Sequence, residues 1–163
     1  MSAIGEYINY QKGIFQSHLS KIIKSSKHEI IPNNDKYVIS WKIVFKDESV
    51  LEAWEILELS NNAIEKKRYG YEYIRRSGFF FFYELDDEKN SIIEKIKKPK
   101  YHLHVGVKKE YSSQVRTFPE LLDHNGPHYK ASSITIDEII GIIVINFFEE
   151  NTDLLNRFQI NLS

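Results

Sequence analysis

Residues 36–45, KYVISWKIVF, alternate strictly between apolar and other side chains. Tyr37, Ile39, Trp41, Ile43 and Phe45 therefore fall on one side of an extended chain. Branched and aromatic types suit a pleated surface. The short link KDES follows, and then a second apolar run, VLEAWEILEL, at 50–59. So brief a reversal returns the chain antiparallel to itself. Glu, Leu and Ala in the second run also favour helix, but the short link decides for a strand. Three more runs continue the pattern: KRYGYEYIRR at 67–76, FFFFYELD at 79–86 and YHLHVGV at 101–107. The third of these five strands is joined to the fourth by Ser-Gly. The fourth is apolar on both faces at its start, as a central strand is.

The flanks read as helical. In 3–27, Ile4, Ile8, Phe15, Leu19 and Ile22 form one stripe, and IPNND at 31–35 breaks it. Near the other end, Thr135 and Glu138 in TIDE have capping-box spacing, and the apolar stripe runs on through Ile139, Ile140, Ile143, Phe147 and Phe148. The tail from Thr152 fits a short helix or a strand. The expected fold is α+β: an antiparallel five-strand meander with an N-terminal and a C-terminal helix packed on one face. A chain of 163 residues suits a single domain. It divides into an N-terminal helical element at 1–30, the meander at 36–107, a long loop at 108–132 and a C-terminal helical element at 134–163.

Composition narrows the chemistry. The absence of cysteine excludes disulfides, thiolate catalysis and iron–sulfur clusters, and fits a cytoplasmic protein. A net charge of −1 leaves any attraction for nucleic acid to a local patch. The first 30 residues lack the layout of a signal peptide. The most apolar run, 139–148, is half the roughly 20 residues needed to cross a bilayer, so no membrane partner is expected. A Gly-rich phosphate loop, a dinucleotide fingerprint and a Gly-x-Ser-x-Gly elbow are all missing. No cofactor is expected.

What remains is PKYHLHVGVKKEY at 99–111. On a strand, His102 and His104 share a face opposite Leu103, with side chains roughly 7 Å apart at the base. Such a pair can transfer protons or converge on a metal; equally, both can be solvated strand residues. Lys95, Lys97, Lys98, Lys100, Lys108 and Lys109 surround them without an acidic residue between 95 and 109. The cluster can attract phosphate or merely guard an edge strand. Tyr69, Tyr71 and Tyr73, with Arg75 next in line, could stack unpaired bases or belong to the core. Glu84 and Asp86 could supply a carboxylate. His124 and His128, four apart in a Gly-Pro loop, make a weak metal signal.

In this order, VLEAWEI, YGYEYIRRSGFFFFYELDDE, KPKYHLHVG and TIDEIIGII resemble the TumE-like family of small prokaryotic toxin proteins, over about residues 37–148. The resemblance implies a toxin with a cognate antitoxin partner and RNA as target. It carries over Tyr71, Tyr73, Arg75, Tyr83, Asp86, His102 and His104. The family often has a Tyr-Asp-Asn run where this chain has YELDDEKN, and its spacer to the histidines is shorter.

On this reading, His102 and His104 act as acid and base in metal-independent phosphodiester cleavage, and Arg75 stabilises the phosphate charge. Tyr71, Tyr73, Tyr83, Lys98, Lys100, Lys108 and Lys109 hold the nucleic acid. The alternatives are a non-catalytic binding module using the same face, and a metal-assisted hydrolase with His102, His104 and Asp86 as ligands. Lysine repulsion argues against the metal, so no bound ion is expected.

Overall fold

The computed structural model describes residues 3–60, 63–86, 98–108, 128–148 and 150. Helix α1 (Ala3–Gly13) runs into a π-helical turn (Ile14–His18), closed by the Leu19 N–H on the Ile14 carbonyl at 3.2 Å. Seven strands follow: β1 (Ile23–Asn33), β2 (Lys36–Phe45), β3 (Val50–Ser60), β4 (Ala63–Ile74), β5 (Phe79–Leu85), β6 (Tyr101–Val107) and β7 (Tyr129–Lys130). Helix α2 (Ile136–Phe147) comes after them. The strands lie in sequence order in one sheet, each antiparallel to the next.

Among the described residues the sheet therefore has seven strands where the sequence indicates five. The expected helix over 3–27 stops early. Its last turn widens to i→i+5 pairing, a form that seldom propagates, and the Ile22 and Ile23 N–H groups fold back onto the Leu19 carbonyl. The chain then pairs with β2, His28 opposite Trp41. Pro32 is tolerated because β1 is an edge strand. Asn34, with φ 55°, makes the tight turn into β2. β7 falls inside the stretch expected to be loop, and joins the sheet through only two register pairs.

Two adjacent rows of the register define the two faces. Trp41, Ala53, Tyr71, Tyr83, Leu103 and Tyr129 lie side by side across β2–β7. That face is covered by both helices, as expected. Phe15 packs edge-on to Trp41 at 4.9 Å, and Phe147 stacks on Tyr73 at 5.2 Å. Ile4, Ile8, Leu19, Ile139, Ile140 and Ile143 bury against the same strands. Thr135 caps α2 as the sequence indicates, its hydroxyl accepting from the Glu138 N–H while the Glu138 carboxylate accepts from the Thr135 N–H. The next row, Ser40, Trp54, Gly70, Glu84, His102 and Lys130, points away from both helices. Among the described residues no helix is long and apolar enough to cross a membrane.

Gly70 has a packing role on this second face. A Cβ there would lie 2.5 Å from Trp54 Nε1 and 2.9 Å from Phe82 Cε2. The indole thus occupies the space that any other residue would fill. Gly70→Val is expected to lower the stability by about 1–3 kcal/mol through overpacking, read as a drop in the denaturant midpoint with an unchanged slope. An unchanged midpoint would mean that Trp54 does not lie over β4.

Candidate functional site

β6 places His102 and His104 on one face, as the period-two pattern requires. They are not solvated: His102 is 0% and His104 1% exposed. A third ring joins them. His128, half-buried just before β7, lies 4.3 Å from the His104 ring and 5.3 Å from His102, while His102 and His104 are 5.1 Å apart. One nitrogen from each of the three rings falls within 4.8 Å of the others. The pairing of β6 with β7 brings the third histidine to the first two.

His102 is held at both ends. Its Nδ1 lies 2.7 Å from the Pro99 carbonyl and its Nε2 2.9 Å from Glu84 Oε2. A carbonyl oxygen can only accept, so Nδ1 carries a proton and donates. Glu84 sits directly opposite His102 across β5–β6. Lys98 bridges Glu84 at 3.1 Å and Asp86 at 3.0 Å, and Arg68 approaches Asp86 at 3.5 Å. His104 stacks on Phe82, centroids 5.7 Å apart. Two acceptors fix the His102 ring, so it orients the cluster, whereas His104 and His128 are the closest pair.

Burial pushes the Glu84 carboxyl up, but hydrogen bonds and charge from His102 and Lys98 outweigh it and hold the group at about 2. The folded value lies below the ordinary 4.5. The stabilisation is therefore complete above that ordinary value and is lost as the pH falls through about 2. It amounts to ~3 kcal/mol. Between pH 5 and pH 2 the parent should lose roughly that much more unfolding free energy than Glu84→Gln. Equal acid sensitivity of the two proteins would remove Glu84 as the cause.

The other sequence-indicated residues scatter. Tyr71 and Tyr73 are fully buried beneath the helices and cannot stack bases. Tyr71 donates to Glu55, Tyr73 donates to Ser49 Oγ at 2.9 Å, and the Tyr69 hydroxyl accepts from the Ile134 N–H at 3.0 Å. Tyr83 lies on the same covered face, in a cleft with Leu103, Ile134 and Ile142. Arg75 also sits apart from the histidines. It faces Asp47 at 3.6 Å and caps the Phe147 ring at 4.7 Å, on the helical side of the sheet, so it cannot serve a phosphate at His102. Asp86 is engaged by Lys98 and Arg68 rather than aimed into the cluster. Lys108 pairs with Glu72 and Lys100 lies over Tyr101 at 5.7 Å. Lys95, Lys97, Lys109 and His124 lie outside the described residues.

A second polar cluster is buried on the covered face. Glu55, 1% exposed, accepts from the Tyr7 and Tyr71 hydroxyls and pairs with Lys66 at 2.8 Å. Burial and the neighbouring Glu55 charge push both tyrosines above their ordinary range, so both remain neutral donors. Its signal in the sequence is a glutamate in phase with Leu51, Ala53 and Leu57. No family model, no curated protein and no solved structure matches this chain.

Proposed function

We propose that this protein is a toxin-type, RNA-directed enzyme of the TumE-like kind, cleaving phosphodiesters at the three-imidazole cluster. The observation that carries the reading is the convergence of His102, His104 and His128 on the sheet face away from the helices. Imidazole suits proton transfer near neutral pH, and cleavage at the 2′-hydroxyl of RNA needs a base and an acid on either side of one phosphate. His104 and His128 are the acid–base pair, and the half-exposed His128 ring moves off His104 to admit the phosphate. His102, gripped by Glu84 and Pro99, is a positioning residue. Lys98 and Arg68, held beside the cluster by Glu84 and Asp86, supply positive charge for the phosphate. The proposed roles thus move from Arg75 to these two cations, and from a histidine pair to three histidines.

The test is cleavage of total RNA by the purified full chain, together with growth arrest on its induced expression in a bacterium. Cleavage leaving 2′,3′-cyclic ends and unaffected by chelator is the expected result. Intact RNA and undisturbed growth would sink the proposal. RNA binding without cleavage would favour a binding module on the same face.

A further inference from the structure

We propose that His102, His104 and His128 bind one divalent transition-metal ion, and that this ion competes with RNA cleavage. The second half rests on the acid–base reading above; the first stands on geometry alone. Three imidazoles form a donor set that suits zinc and its neighbours and leaves positions open. Their nitrogens already lie within 4.8 Å of one another, on a buried floor with one half-exposed ring. An ion with bonds of about 2.0–2.1 Å needs its ligands roughly 3.3 Å apart. The proposal requires the half-exposed His128 ring, one residue before β7, to rotate toward the other two.

Ligation asks one change of His102. The Pro99 carbonyl keeps the proton on Nδ1, and the ion takes the place of the proton that Nε2 donates to Glu84. Glu84 Oε2, the acceptor 2.9 Å from that nitrogen, is released by the exchange and leaves a carboxylate beside the ion. The lysines oppose the ion less than their number in the sequence suggests. Lys98 is matched by Glu84 and Asp86, and Lys108 by Glu72. Proton transfer and coordination use the same lone pairs of His104 and His128. An occupied cluster therefore cannot act as acid and base.

Untagged full-length protein, stripped by chelator, would be titrated calorimetrically with Zn²⁺ and followed spectroscopically with Co²⁺. One ion per chain and visible cobalt bands of a nitrogen-rich, low-coordinate site are expected. His128→Ala and His104→Ala should each weaken Zn²⁺ binding by at least about tenfold, and Glu84→Gln by about 10–100-fold. His28→Ala, whose ring stacks on Trp41 in β2, should bind as the parent does. His102 is left in place because its removal would also strip the Pro99 carbonyl and Glu84 of their partner, and His128→Ala, at a half-exposed position, carries the test should His104→Ala fail to fold. Absence of binding by the folded parent, or unchanged affinity in both histidine variants, would overturn the site. In parallel, RNA cleavage would be measured with and without one equivalent of Zn²⁺. Inhibition reversed by chelator is expected; activation would overturn the competition. Metal binding by a protein that cleaves no RNA would sink the enzyme reading and the competition, while the metal site would stand.

Discussion

His128→Ala is expected to lower RNA cleavage by about 10²–10⁴-fold, the usual contribution of a positioned acid or base. The fold should be unaffected, since the side chain is half-exposed and lies at the rim of the sheet. His104→Ala should cost as much, and the double variant little more, because an acid and a base acting as a unit are not additive. Arg75→Ala should retain nearly full activity, since its guanidinium meets Asp47 and Phe147 on the opposite face. Initial rates on a defined oligoribonucleotide would check all four proteins. Full activity in His128→Ala, or a collapse in Arg75→Ala, would return the chemistry to the arrangement suggested by the sequence alone.

The second large effect concerns stability. Glu55→Ala should remove about 3–5 kcal/mol, because it strands the Lys66 cation and the hydroxyls of buried Tyr71 and half-buried Tyr7, which now share one carboxylate. Domains of this kind are stable by only about 5–15 kcal/mol, so the variant should unfold at much lower denaturant. Glu52→Ala, three residues earlier on the same strand and on the other face, is the comparison. Its carboxylate is half-exposed and pairs with an exposed lysine, so a change within about 0.5 kcal/mol is expected. Similar midpoints for the two variants would mean that the Glu55 cluster contributes nothing to the fold.

Much of the architecture was legible because period two is a strong signal. The alternation at 36–45 and 101–107 named β2 and β6 to the residue, and Thr135 with Glu138 marked the start of α2. The N-terminal error has a physical source. Ile22 keeps helical phase with Leu19 although the chain has already left the helix through a π turn, and β1 lacks the apolar alternation of an inner strand. Hence a strand held mainly by pairing with β2 left little trace. β7 has two residues and no pattern to read.

The candidate site was half legible. Histidines two apart on a strand must share a face, and they do. Their burial, and the burial of Tyr71 and Tyr73, depends on what packs over each face, which alternation does not state. His128 lies 24 positions beyond His104 in the sequence. Only the pairing of Leu103 with Tyr129 and of His102 with Lys130 brings it back. Glu84 is likewise a register partner of His102 rather than a sequence neighbour.

Ring-proton cross-relaxation in the metal-free protein, with the histidine rings alone protonated, tests the three-imidazole centre most directly. His102, His104 and His128 should show cross-peaks in all three pairings, strongest between His104 and His128, whose centroids are 4.3 Å apart. Cross-peaks between His102 and His104 alone, with none to His128, would contradict the centre.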